Sequence, residues 1–308
     1  MRAMRCAALA AAVVVAAAGA EAGVILVGGP RTEGKAAAAK SGAVWVKSLT
    51  KGFARAAREI GPGTAEVELR LAEGEYTGDL GSGAYAIPKM VNPKATLTVS
   101  GGWIDGFSRR DPFGHPSVIL ATPQRSAPLW TVERGSKLGA LVIDGLVWDA
   151  APSNAYDARS NSLLPGKSCS FKYIKFNYLE TNRLAFRSCI FLNSPGRAIE
   201  PLIRAATPKA TMEFFNCIFF NNRIPLKLDS ARFRNRPAKI SVERCSFLLN
   251  WPYNPDPATG NRGALEIGPQ EAAGEITISR CLFWGNVGGA IQAGFTKLPA
   301  LVIDNNDF

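Results

Sequence analysis

The chain has one histidine in 308 residues, and that scarcity excludes a good deal of chemistry at once. A metal site built on histidines needs more than one, and a Ser-His-Asp relay would have to use His115, which sits in a loop-like run between Gly114 and Pro116. No CxxC pair occurs, so a cysteine metal site is not expected either. Neither a metal nor a cofactor is therefore expected. Beyond residue 22 no apolar run is long enough to cross a bilayer, so no transmembrane span is expected in the mature chain.

The apolar run that does occur lies at the amino end. Arg2 and Arg5 precede an apolar stretch over 6–20, and Ala20-Glu21-Ala22 has the small-x-small form of a cleavage site. Residues 1–22 therefore read as a secretory signal peptide, and the mature chain is expected to be secreted or at the cell surface. There is no twin arginine and no cysteine just after the cut, so a lipoprotein is not expected. Losing Arg2, Arg5 and Glu21 takes the formal charge from +11 to +10. That balance favours acidic polysaccharide or an anionic cell surface over specific nucleic acid, and it also serves general solubility.

One pattern recurs through the second half of the chain, apolar-x-apolar-x-x-Cys-x-Phe. It reads LAFRSCIF at 184–191, MEFFNCIF at 212–219, ISVERCSF at 240–247 and ITISRCLF at 276–283. LVIDNNDF at 301–308 places Asn306 where the others have cysteine, and LVIDGLVW at 141–148 places Leu146 there. The steps from Cys189 to Cys217, Cys245, Cys281 and Asn306 are 28, 28, 36 and 25 residues. A unit of that size cannot bury its apolar face until a neighbour stacks on it, which is the mark of a solenoid. Alternation before the cysteine predicts a strand, the broken alternation just ahead of it a corner, and Cys-x-Phe a second strand. A third strand is expected at Ala198-Ile199, Pro225-Leu226, Ala264-Leu265 and Ala290-Ile291.

These residues resemble the right-handed parallel β-helix (pectin-lyase-like) superfamily, over about residues 65–308. The resemblance implies an all-β fold with three strands per level. Its start would be capped by an amphipathic helix over 48–60, with 1–22 the signal, 23–64 an amino-terminal segment and 65–308 the solenoid. Within that segment, 24–27 reads as a strand and 28–40 as a loosely ordered link. The run 97–120, with Gly101-Gly102-Trp103 and Arg110-Asp111-Pro112, is similar to the start of bacterial surface β-helices and reads as structural. Stacking puts Cys189, Cys217, Cys245 and Cys281 in one buried column, to be weighed against disulfides in an exported chain. Asn222, Asn250 and Asn286 recur five residues after a cysteine, as a hydrogen-bonded corner ladder would. The chain stops at Phe308 midway through a level, as expected of a piece of a longer solenoid or of an end that meets another subunit.

In members with enzymatic activity the outer face of one sheet holds the site. On the third strand the outward positions are Glu200, Lys227, Glu266 and Gln292. Glu200 and Glu266 would lie about 10 Å apart across two levels, near the span used by inverting glycosidases, with Lys227 between them. An alternating salt-bridge ladder explains the same residues. Two excursions, 150–167 and 251–262, leave the coil at one corner; the second carries Trp251, Tyr253 and Arg262, which with Arg223 form a candidate sugar-binding set. The paired aspartates and Gly-His-Gly of polygalacturonases are missing, as is the acidic cluster of calcium-dependent pectate lyases. The expected function is therefore non-catalytic binding of acidic glycans or an envelope or adhesion role. The alternative is a polysaccharide lyase or glycoside hydrolase using Glu200, Lys227 and Glu266.

Overall fold

The structure is a computed structural model, and it describes residues 23–29, 31–61, 65–78, 84–123, 127–153, 155–157, 162–164, 171–228, 239–251, 263–268, 274–294 and 300–308. It is all-β in kind, built mostly of parallel strands in stacked parallel sheets, with two α-helices near the amino end among the described residues. The predicted strands form where alternation placed them. Leu184, Phe186, Met212, Phe214, Ile240, Val242, Ile276 and Ile278 are all buried, while the residues between them mostly face out.

The chain visits three faces in a fixed order. From Glu180–Arg187 on the first sheet it passes to Ile190–Leu192 on the second and Arg197–Ile199 on the third. The short strand Arg204–Ala205 and then Thr211–Phe215 pair with Glu180–Arg187 again. Register is conserved: Phe191 faces Phe219, Phe219 faces Phe247 and Phe247 faces Phe283. Antiparallel pairing is confined, among the described residues, to the hairpin of Ala155–Asp157 with Ser162–Leu164 and to Arg109–Arg110 against Val91–Ile104.

Corners explain why the register repeats. Between first and second strands stand Gly145, Ser188, Asn216, Arg244, Arg280 and Asn305, every one at φ between 48° and 63°. A second left-handed position follows the second strand at Asn193, Asn221, Leu249 and Gly285. Asparagine and glycine tolerate this region best, and most of these positions carry one of them or another small polar residue.

Inside, identical side chains stack level upon level. Phe191, Phe219, Phe247, Phe283 and Phe308 form a column with centroid spacings of 4.9, 4.8, 4.8 and 5.4 Å. Beside it Cys189, Cys217, Cys245 and Cys281 are buried and free, not disulfide-bonded. Each thiol lies 3.5 or 3.6 Å from a carbonyl of the preceding level. Asn306 takes over that place with a stronger pair of bonds, accepting from Cys281 N at 2.8 Å and donating to Ile278 O at 3.0 Å. The second ladder runs through Asn222, Asn250 and Asn286 as expected, each amide bridging two levels.

At the amino end, α1 (Arg31–Ser41) stands where the sequence suggested a loose link. Its alanine-rich run has high helix propensity but no apolar stripe to announce it; Ala38 packs with Leu26, Ala72 and Phe107 in a small separate cluster. The helix expected over 48–60 is α2 (Leu49–Glu59), capped by the Ser48 hydroxyl accepting from Lys51 N. Its Leu49, Phe53 and Ala56 are buried, and Phe53 meets Trp130 edge-on at 5.0 Å. The motif at Gly101-Gly102 is structural: Gly102 has φ +80°, and a Cβ there would lie 2.4 Å from Pro112 Cα.

Candidate functional site

The third sheet brings the outward acidic and basic positions into line. Lys227 pairs in register with Glu266 and Glu266 with Gln292, and the Ile199–Leu226 pairing sets Glu200 beside Lys227. The ion pairs run along this column. Glu200 is 4% exposed and bound by Lys172 from the level before and by Arg197 Nη1 at 2.9 Å. Lys227 Nζ lies 3.4 Å from Glu266 Oε1. Burial pushes the Glu200 carboxyl up, but the hydrogen bond from Lys172 and the charges of Arg197, Lys172 and Lys227 outweigh it, so the net shift is downward. A proton donor to a glycosidic oxygen needs the opposite shift.

Arg223 and Trp251 occupy equivalent places on neighbouring levels, each one residue after a ladder asparagine. The Trp251 indole donates to Asn221 Oδ1 at 3.0 Å, which fixes the ring against the preceding level. Tyr253 and Arg262 lie outside the described residues. Half-buried His115 contacts Glu73 Oε2 at 2.7 Å through Nδ1.

The first sheet carries a groove that sequence reasoning missed. It has a volume of about 530 Å³ and is lined by Arg110, Arg187, Ser188, Glu213, Phe215 and Ser241, among others. Strand register assembles it, aligning Asp144, Arg187, Phe215 and Glu243 on successive levels. Glu213 is shared by Arg183 and Arg187 at 2.8 and 3.2 Å, Glu243 by Arg280 and Arg244 at 3.2 and 3.8 Å, and Asp144 is held by Arg110 at 2.9 Å. Arg110 and Arg187 line the groove with the carboxylates of Asp144, Glu213 and Glu243, while Arg183, Arg244 and Arg280 reach those carboxylates from outside its lining, so five guanidinium groups serve three carboxylates in and around it. Desolvation raises the Glu213 carboxyl, but the bonds and charges of its two arginines prevail and hold it below the usual range. Phe215 is partly exposed, with the Arg244 guanidinium 5.6 Å from its ring centroid. The signal was the outward half of each alternation, where Arg187, Glu213 and Glu243 recur among small hydroxyl residues.

Gly29 to Lys35 has the glycine and lysine spacing of a phosphate-cradling loop, with Ala36 in place of the hydroxyl residue. Here α1 already begins at Arg31, and a Cβ on Gly34 would lie 2.2 Å from the Trp45 ring, so this glycine serves packing. Among the described residues no group of three or more histidine, cysteine or acidic side chains is placed to hold a metal ion, and no helix is long and apolar enough to cross a membrane. No protein-family model matches the chain, and no curated protein matches it.

Proposed function

We propose that the chain is an exported right-handed parallel β-helix of the pectin-lyase-like kind. Residues 1–22 are its signal peptide, α2 caps its start, and the coil runs over 65–308. It binds acidic polysaccharide, free or at the cell surface, without turning it over. One observation carries the reading: around the first-sheet groove Glu213 and Glu243 are each shared by two arginines, which leaves guanidinium donors at the groove's margin for an incoming uronate or sulfate. Ser188 and Ser241 supply hydroxyls and Phe215 an apolar ring edge, which is the mixture a sugar chain requires. Catalysis at Glu200 and Glu266 is disfavoured because both carboxylates are held by cations.

The test is retention of the chain on immobilised polygalacturonate, alginate and neutral dextran, with product release followed in parallel. The reading expects retention on the acidic polymers alone, weakening as salt rises, with Arg187→Ala and Arg244→Ala each lowering affinity several-fold. Absence of retention at low salt, or formation of reducing or unsaturated ends, would overturn it.

A further inference from the structure

The outer face of the second sheet is apolar over six consecutive levels. Register aligns Val118, Val147, Ile190, Ile218, Ser246 and Leu282 in one row. A parallel row holds Leu120, Asp149, Leu192, Phe220, Leu248 and Trp284. Both rows stand on the side opposite the buried Ile119, Trp148, Phe191, Phe219, Phe247 and Phe283. Exposure grows toward the later levels: Phe220 is 36% exposed, Leu282 40% and Trp284 61%. Of the carboxylates in line with the rows, Asp149 accepts from Ala151 N and Asn193 Nδ2, both at 2.8 Å, so it is already satisfied within its own chain, and Glu75, paired with Val118, stands exposed at the amino-terminal end of the sheet. Neither row carries a cation, although the chain as a whole is strongly basic.

We infer that this face docks a second copy of the same chain, second sheet upon second sheet, in a two-fold dimer. Size is the first argument. Six levels at about 4.8 Å and a strip about 12 Å wide give roughly 350 Å², and the flanking corner row with Leu249 raises this to about 500 Å² per copy. Two copies would bury about 1,000 Å², the lower limit of a specific interface. Shape is the second. A two-fold axis in the contact plane, with the coils antiparallel, reverses the order of levels and keeps each row over itself, so it sets Leu282 of one copy over the smaller Val118 of the other and Trp284 over Leu120. The other two-fold arrangement, with the coils parallel, would set each level against itself, Trp284 and Leu282 against Trp284 and Leu282. Aligned sheets pack face to face at about 10 Å, a gap these side chains fill. The inference does not rest on the glycan reading, which concerns another face.

Sedimentation velocity tests it, with the chain purified from its complete coding sequence, from about 1 to about 100 µM in moderate salt. The expected result is a concentration-dependent dimer. Trp284→Glu, and separately Phe220→Glu at the strip's centre, should raise its dissociation constant at least tenfold while the circular dichroism spectrum is unchanged. Both positions are exposed, and a variant that misfolds is replaced by Leu282→Lys. A monomer across the whole range, or a dimer indifferent to all three changes, overturns the inference. So does association with phospholipid vesicles by a chain that stays monomeric in their absence.

Discussion

Replacing Asn250 by leucine tests the logic of the corner ladder most directly. The Asn250 side chain is buried; its Oδ1 accepts from Asn222 N at 2.9 Å and its Nδ2 donates to Phe219 O at 3.0 Å and Asn286 Oδ1 at 2.9 Å. Leucine has the same branched outline, with bulkier methyl ends, and supplies none of these bonds. Asn286 Oδ1 keeps the Asn250 main-chain N–H, but Asn222 N–H and Phe219 C=O lose the partners named here. Each buried group left unsatisfied costs about 1–3 kcal/mol, so Asn250→Leu should lower stability by about 3–4 kcal/mol. The control is Asn216→Gly, which removes an exposed bond to Ser188 Oγ at a left-handed corner and should change stability by less than about 0.5 kcal/mol. Urea unfolding with both variants gives the comparison, provided the slope is unchanged. A loss at Asn250 no larger than the control would refute the reasoning, because it would mean that water or a shifted corner satisfies the freed groups.

Further expectations follow from the same geometry. Because the Glu200 carboxyl is held below its ordinary value, its contribution is present above the unfolded-state value and is lost as pH falls through the folded one. Glu200→Gln should therefore flatten the acid limb of a stability profile between pH 5 and 3, and an unchanged limb would count against the pairing. Burial pushes the Cys217 thiol up, and the stacked thiols have no solvent access, so Cys189, Cys217, Cys245 and Cys281 should resist alkylation until the chain unfolds. Rapid native labelling of any of the four would contradict the column. Gly102→Ala meets both a positive φ and the Pro112 backbone, and should cost about 2 kcal/mol or more by the urea midpoint.

The inward half of each level was legible in the sequence because its spacing and chemistry both repeat: cysteine, phenylalanine and asparagine return where three columns require them. The helix over Leu49–Glu59 was legible for a similar reason, since Leu49, Phe53 and Ala56 mark one face. The helix over Arg31–Ser41 was not, because alanine carries propensity without direction. The outward half resisted reading for a different physical reason. Glu200, Lys227 and Glu266 could be assigned to one column, but not the arrival of Lys172 from the level before, which buries Glu200. The groove needed the same depth of information. Arg183, Arg187 and Glu213 are unremarkable alone, and only strand register shows two guanidinium groups converging on one carboxylate.

Leu249 ties local strain to the association inferred for the second sheet. At the second corner its neighbours by level are Asn193, Asn221 and Gly285, which suit a left-handed backbone, yet Leu249 adopts φ 51° and is 42% exposed. An L-residue in this region costs roughly 1–2 kcal/mol, and asparagine recovers part of that by local hydrogen bonding. Within one copy, Leu249 is exposed and its Cδ2 lies over Gly285. Leu249→Asn should therefore stabilise the isolated monomer by about 0.5–1 kcal/mol. At the edge of the apolar strip, the same change should weaken the dimer, because it removes an exposed hydrocarbon from the flank of the interface. The two effects have opposite signs and are read by different measurements, urea unfolding at low protein concentration and sedimentation at high. A gain in stability with unaltered association would mean that the leucine is mere local strain and that the interface does not reach this corner. A loss of stability would mean that its contact over Gly285 outweighs the backbone cost, and the strain argument would fail.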